Sequence, residues 1–174
     1  INRLVTNLSD NWWANTRNGQ TSHMILSFPN GTSLKDVADI VRDVCTEKFD
    51  SGDVRYKYVA AIHDDQEHHP HAHIILNRRG SDNSLFNMRR DTEHSYEGFR
   101  EAMAAHAERR GIYLDSTSRF ERGITDRQPT QTEQWNASRE GRAPQQRPRT
   151  GADLAYAQEQ ISFAKIGYQA MSVI

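Results

Sequence analysis

The chain has 174 residues, of which 36% are hydrophobic and 26% charged, and its formal net charge is −1. This size fits one domain, or one domain with a tail, and no apolar run approaches the roughly 18 residues that a membrane span requires. The single cysteine, Cys45, excludes an internal disulfide and a cysteine-rich zinc site, so we expect a protein of a reducing compartment with Cys45 in its core.

Four segments have the apolar, turn-bounded character of β-strands. The first, HMILSF, is followed by PNGTS, a sequence typical of a turn. The second and third are separated by seven residues, few enough to close a hairpin. The predicted strands cover residues 23–28, 54–63, 71–77 and, as a short fourth, 84–88.

Helical patterns lie before, between and after these strands. Ser33 and Asp36 form a capping-box pattern, and Ser95 and Gly111 mark the start and the end of a later helix, with Tyr96 on its inner face. The predicted helices cover residues 1–15, 34–49, 95–110 and 152–171. Because helices and strands interleave on a mainly antiparallel sheet, the predicted fold class is α+β.

The polar segment 128–151 separates the predicted main domain from the end of the chain. It is rich in Gln, Arg, Pro, Ser and Thr, and it has little to bury, so it predicts an extended or mobile arm. The resulting division is a main domain over residues 1–127, a polar arm or linker over 128–151, and a C-terminal helix over 152–174.

Five of the eight histidines lie in HDDQEHHPHAHIILN, residues 63–77. Side chains alternate along a strand, so His71 and His73 project from the same face. His63 ends the preceding predicted strand, and a hairpin would bring it opposite the start of the next one. Three neutral imidazoles leave open coordination positions, which is typical of a catalytic rather than a structural metal site.

Other histidines leave this assignment open. His68 and His69 lie in the loop, and either is an alternative to His63 as the third ligand. His23 also precedes a strand, where we expect a satisfied histidine at the strand edge. Arginine prevails over lysine after Asn77, which indicates either a phosphate-binding surface or an ordinary solvated one.

These motifs resemble the HUH relaxases, the DNA-nicking endonucleases of plasmid mobilisation and conjugation, and in particular their VirD2-like (MOBP) group. The third motif of that family is similar to HDDQEHHPHAHIILN, with His71-Ala72-His73 as the HUH pair, and the second is similar to HMILSFPNGTS. SYEGFREAMAAHAERRGIYLDSTSRFERGIT continues the resemblance, which covers about residues 20–127. It implies a central antiparallel sheet flanked by helices, with a metal over its middle strands.

The resemblance also implies a reaction and its residues. In this family a tyrosine attacks the scissile phosphate at the nic site of single-stranded DNA and retains the 5′ end as a phosphotyrosine, with a divalent Mg, Mn or Zn ion as cofactor. One residue more separates His63 from HPHAH than in VirD2 itself, a spacing that other mobilisation relaxases share. The implied roles are metal ligation by His63, His71 and His73, catalytic support by Asp65, and DNA binding by Ser27, Asn77, Arg78, Arg79, Arg119 and Arg122.

Partners and location follow from the same resemblance. The expected substrate is single-stranded DNA at the nic site of a transfer origin. Accessory relaxosome proteins and a type IV secretion coupling protein are the expected partners. The expected location is the bacterial cytoplasm, without membrane insertion and with translocation to a recipient cell together with the DNA.

The position of the nucleophile is where the chain departs from the family. Relaxases of this group carry the catalytic tyrosine before the second motif, and residues 1–22 contain none. The chain opens in a helical pattern without an initiator methionine, so we expect the tyrosine upstream of Ile1 and no cleavage by these 174 residues alone.

Rolling-circle replication initiators instead use a tyrosine on a later helix, where Tyr96 is the candidate, although we expect a packing role for it. A cupin-like metal enzyme is a third alternative, disfavoured because Asn77 stands where cupins need glutamate.

Overall fold

The computed structural model describes residues 19–63, 70–90 and 92–171, with the side chains of residues 170 and 171 left out. The predicted helix over residues 1–15 lies outside the described residues. The chain divides into two compact units, Ile1–Ser116 and Thr117–Ile174. The division into a main domain, an arm and a C-terminal helix stays a prediction. None of the helices described is both long and apolar enough to cross a membrane.

The first unit is built on a three-stranded antiparallel sheet in the described part of the chain. Its strands are β1 (Thr21–Ser27), β2 (Tyr56–His63) and β3 (His71–Gly80), in the order β1-β3-β2. The three longer strands predicted from the sequence are therefore confirmed. The predicted fourth strand is wrong, because Leu85 makes only an isolated bridge to Arg79. Leu85 is also 45% exposed, so it contributes no buried strand face.

Two helices of the first unit begin at the serines that the sequence indicates. Helix α1 (Leu34–Cys45) continues into a π-helical turn, Thr46–Asp50, and α2 covers Tyr96–Glu108. Ser33 Oγ accepts a hydrogen bond from the backbone N–H of Asp36 at 3.1 Å, and Ser95 Oγ accepts one from that of Gly98 at 3.0 Å. Such caps satisfy donors that the first turn of a helix leaves open. Sheet and helices together confirm the α+β class.

The core lies between one face of the sheet and these two helices. Ala72, Ile74 and Leu76, which alternate along β3, are fully buried. Phe49, in the π-helical turn, is also fully buried and contacts the rings of four side chains of the same core. Those rings belong to Tyr58, Phe86, His94 and Phe99. Because this face of β3 is packed, the other face is left for the histidines.

The second unit contains helices α3 (Gln131–Glu140) and α4 (Gly151–Met171). Residues 128–151 were predicted to form an extended or mobile arm, but residues 131–140 of this segment form a helix. Thr130 Oγ1 accepts a hydrogen bond from the backbone N–H of Glu133, and Gly141 ends the helix with φ of 66°. An N-cap threonine and a left-handed glycine at the C-terminal end stabilise a helix even where few side chains are buried.

Candidate metal centre

The three predicted metal ligands lie on neighbouring strands at one end of the sheet. His71 begins the central strand β3, and His63, the last residue of β2, lies directly opposite it. His73 follows two residues later and shares the same face of the strand. On the other side of β3, Ser27 pairs with His71 and Ile25 pairs with His73. The antiparallel register thus brings together three histidines that are up to ten residues apart.

Their ring nitrogens are close enough to bind one ion. One ligand atom from each of His63, His71 and His73 lies within 4.8 Å of the other two. The Nε2 atoms of His71 and His73 are 3.1 Å apart. At a metal–nitrogen distance of about 2.1 Å, this separation corresponds to an N–metal–N angle of roughly 95°, between octahedral and tetrahedral values. The donor set therefore fits a divalent metal.

A fourth histidine contacts this cluster from β1. Nε2 of His23 lies 2.7 Å from Nδ1 of His73, and the two ring planes are within 13° of parallel. When Nε2 of His73 faces a metal, its Nδ1 carries the proton and donates it to His23. His23 is satisfied as expected, but its partner is a residue of the triad, which was not predicted. The contact between His23 and His73 follows from the alternation of His23 and Ile25 along β1 together with the register between β1 and β3.

The face of the sheet that carries the histidines is open to solvent. Ile25 on β1 is 54% exposed, and Ile75 on the central strand β3 is 48% exposed. His63 is exposed, whereas His71 and His73 are half-buried. A ligand can therefore approach the imidazole nitrogens across this face, and apolar surface surrounds the approach.

The polar residues at the end of β3 that were predicted to contact DNA have structural partners. Asn77 is 2% exposed, and its Oδ1 accepts a hydrogen bond from the backbone N–H of Arg79. Arg78 Nη2 donates to the carbonyl oxygen of Phe86, and Arg79 Nη1 donates to Asn83 Oδ1. The contacts of the two arginines attach the loop after β3 to the strand. Asn77 is too buried to contact DNA in this conformation, and its side chain instead holds the backbone at the end of β3.

The remaining predicted residues fall in different parts of the chain. Ser27 is exposed and lies on the same rung as His71. Arg119 and Arg122 belong to the second unit, where Arg119 Nη2 donates to the carbonyl oxygen of Asp126 at 2.9 Å. Three further predicted residues, Asp65, His68 and His69, lie outside the described residues.

Among the nucleophilic side chains, Cys45 is buried and Tyr58 is half-buried, whereas Tyr96 is exposed. Burial raises the pKa of the Cys45 thiol to about 12, and burial raises the pKa of Tyr58 to about 12 as well. Both groups are therefore protonated at neutral pH, and Cys45 is a core residue as predicted. Tyr96 was predicted to pack in the core, and this is wrong, because it is 71% exposed at the start of α2.

Comparisons with known proteins show the family to which the chain belongs. Residues 5–112 match the family described as Relaxase: MobA/VirD2-like, nuclease domain. The T-DNA border endonuclease VirD2 of Rhizobium radiobacter is 42% identical over 117 residues, which are 65% of this chain and 27% of that protein. VirD2 of Agrobacterium fabrum (strain C58 / ATCC 33970) is 40% identical over 124 residues, 69% of this chain and 28% of that protein.

VirD2 of Rhizobium rhizogenes is 40% identical over 111 residues, which are 62% of this chain and 25% of that protein. The chain thus spans about a quarter of the length of the curated relatives it matches. No solved structure matches the chain.

Proposed function

The chain belongs to the MobA/VirD2-like relaxases, and on this basis we propose that it is the nuclease domain of an enzyme that nicks single-stranded DNA at a transfer origin for conjugative or T-DNA-like transfer. The observation that carries the proposal is the cluster of His63, His71 and His73 on the open face of the sheet. We propose these three residues as the ligands of a divalent Mg, Mn or Zn ion. When bound there, such an ion supplies Lewis acidity that polarises a phosphate and stabilises the charge of the transition state.

The side chains around the triad have supporting roles in this proposal. His23 accepts the Nδ1 proton of His73, which keeps Nε2 of His73 free to be a ligand. Ser27, on the same rung as His71, is suited to hydrogen-bond a DNA phosphate. Asp65 is proposed to orient a ligand histidine or to help deprotonate the nucleophile.

The strand of DNA is proposed to lie across the exposed sheet face. The apolar side chains of Ile25 and Ile75 suit contact with bases, and arginines suit contact with phosphates. Arg78, Arg79, Arg119 and Arg122 stay phosphate-contact candidates, although the side chains of Arg78, Arg79 and Arg119 already donate hydrogen bonds within the protein. In relaxases a tyrosine attacks the scissile phosphorus, the 3′ oxygen leaves, and the 5′ end remains on the protein.

The nucleophile is proposed to be a tyrosine encoded upstream of Ile1, since residues 1–22 contain none. One observation favours a second candidate, a rolling-circle replication initiator that uses Tyr96. That tyrosine is 71% exposed at the start of α2, so its ring is not committed to the core. Attack requires a phenol oxygen roughly 3–3.5 Å from the phosphorus, so the two candidates make different predictions about which tyrosine forms the adduct.

The biological setting is proposed from the family alone. A relaxase of this kind acts in the bacterial cytoplasm with accessory relaxosome proteins. It then engages a type IV secretion coupling protein and travels with the DNA to the recipient cell. Binding of the full-length protein to these partners tests this setting.

Formation of a covalent protein–DNA adduct tests the proposed function. The protein is expressed from its own reading frame, including any codons before Ile1, and is incubated with Mn²⁺ and the strand of its transfer origin. The expected product is a gel shift that survives denaturant, is lost in His71→Ala and persists in Tyr96→Phe. An adduct formed by the 174-residue chain and lost in Tyr96→Phe would favour the initiator. Absence of any adduct would contradict both candidates.

A further inference from the structure

A cleft opens beside the histidine triad between the end of β1 and helix α2. Its volume is about 480 Å³, within the range of small-molecule sites, which is roughly 300–1,000 Å³. The residues that line it are Ser27, Phe28, Pro29, Arg100, Met103, Tyr113, Leu114 and Asp115. All of them belong to the first compact unit. The walls are therefore mainly apolar, with one cation, one anion and one exposed phenol ring.

The cleft adjoins the end of the sheet where the triad lies. Ser27, which lines it, pairs with His71, and directly paired residues on antiparallel strands have Cα atoms about 4.5–5.5 Å apart. The backbone N–H of Phe28 donates to the carbonyl oxygen of Pro70, the residue before His71, at 3.0 Å. A DNA strand with one phosphate at the triad thus has neighbouring nucleotides beside this cleft.

Arg100 is the polar side chain best suited to recognise a ligand here. Its Nε atom is buried and has no hydrogen-bond partner among the residues described. Such an unsatisfied buried donor is uncommon in native proteins and calls for an explanation. The planar guanidinium fork of arginine binds the O6 and N7 atoms of guanine in a bidentate manner, which is the commonest specific contact between proteins and DNA bases.

The other walls favour a base over a phosphate. Tyr113 is 87% exposed, and such a ring is suited to stack on a base. Asp115 is a carboxylate, which disfavours a phosphate in the same cleft but accepts hydrogen bonds from the N1–H and amino group of guanine. Phe28, Pro29 and Leu114 supply apolar contact for the rest of the ring.

We propose that this cleft binds a guanine base of the DNA strand adjoining the scissile phosphate and so contributes to the choice of nic site. The inference rests on the proposed function, since it requires that single-stranded DNA lies at the triad. Arg100 reads the guanine edge, and Tyr113 stacks on its face. Recognition of one base in a pocket supplies sequence specificity that phosphate contacts cannot.

Selection from a pool of random single-stranded DNA tests the proposal without knowledge of the nic sequence. The 174-residue chain is incubated with the pool and Mn²⁺, and the bound strands are sequenced. We expect the wild-type chain to enrich guanine at one position of a common motif. Arg100→Lys keeps the charge but loses the fork, so guanine preference at that position should fall by about 5- to 150-fold, while the preferences at other positions persist.

Two further variants distinguish recognition of guanine from a general effect of positive charge, and a melting measurement excludes loss of folding. Arg42, exposed on α1, gives the matched loss of one positive charge, and Arg42→Ala should keep the guanine preference. Tyr113→Leu should weaken binding of the selected strand by about 5- to 150-fold and should affect a strand without that guanine far less. Thermal melting of each variant reports whether it is folded.

The outcomes distinguish this inference from the proposed function. If Arg100→Lys leaves the guanine preference of the selected motif unchanged, the inference is wrong and the proposed function stands. If Arg100→Ala weakens all sequences equally and reduces the salt slope by about one, Arg100 contacts a phosphate and the inference is also wrong. A folded wild-type chain that binds no single-stranded DNA contradicts the proposed function and the inference together.

Discussion

Replacement of His23 by alanine should weaken divalent-metal binding although His23 is not a proposed ligand. Its Nε2 lies 2.7 Å from Nδ1 of His73, so it accepts the proton that His73 must carry on Nδ1 when Nε2 is a ligand. Loss of such a partner of a metal-bound histidine typically costs 10- to 100-fold in affinity. For His23→Ala this corresponds to about 1.4–2.8 kcal/mol of binding free energy.

The stability of the fold should change far less than the affinity for metal. His23 is exposed, and substitutions of exposed residues usually change the free energy of unfolding by no more than about 0.5 kcal/mol. His23→Gln provides the matched control, because the amide oxygen of glutamine also accepts a hydrogen bond from His73. This variant should retain most of the affinity.

Isothermal calorimetry with Mn²⁺ on the wild-type chain and both variants measures these differences, with urea unfolding of the metal-free proteins beside it. Wild-type affinity in His23→Ala would refute the reasoning. So would an equal loss in His23→Gln and His23→Ala, because the accepted hydrogen bond would then be irrelevant. A large loss of stability in His23→Ala without metal would assign the residue to the fold instead.

Four further results are expected. His71→Ala and His73→Ala should each abolish tight metal binding in calorimetry, because two imidazoles do not hold an open site, and unchanged affinity in both would exclude the proposed centre. Phe49→Ala should destabilise the chain by about 3–5 kcal/mol in urea unfolding, since the fully buried ring leaves a cavity; a loss below about 1 kcal/mol would mean that the core collapses around it. The hydrogen bond from Arg142, with a backbone N–H, lowers the pKa of Glu133 to about 2, below its ordinary value of 4.5, so its stabilisation is present above pH 4.5 and is lost as the pH falls toward 2. Circular dichroism of Glu133→Gln should therefore show less acid sensitivity in this window than the wild type, and identical acid transitions would count against the ion pair. Single-stranded DNA should bind more tightly than an unrelated duplex, with an affinity that falls steeply with salt, and filter binding that shows neither effect would speak against phosphate contacts.

Local signals in the sequence predicted the elements that have strong caps and periodicity. Each of these features depends on residues only a few positions apart, so it could be predicted from the sequence. They are the serine caps of α1 and α2 and the alternation of His71 and His73. The contact between His23 and His73 could not be predicted from local pattern, because it depends on the register between β1 and β3, and the two residues are fifty positions apart. Pairing of strands is set by the tertiary fold as well as by local pattern.

The wrong predictions were made where packing or capping, and not the local apolar pattern, decides the structure. Tyr96 continues the apolar stripe of α2, but it is the first residue of the helix and lies beyond the reach of the core. Residues 131–140 were judged by their polar composition, and their helix is stabilised by its caps and by the Glu133–Arg142 pair instead of a buried face. The segment 84–88 buries only Phe86, so it packs as a loop without a strand ladder.

Anomalous diffraction from crystals of the chain grown with Mn²⁺ shows whether the three histidines bind one metal ion. We expect one strong manganese peak on the open face of the sheet, bonded to imidazole nitrogens of His63, His71 and His73, with Ser27 on the neighbouring strand. A map without a peak at these three residues, or with an ion held by His68 or His69 in place of His63, would contradict this expectation.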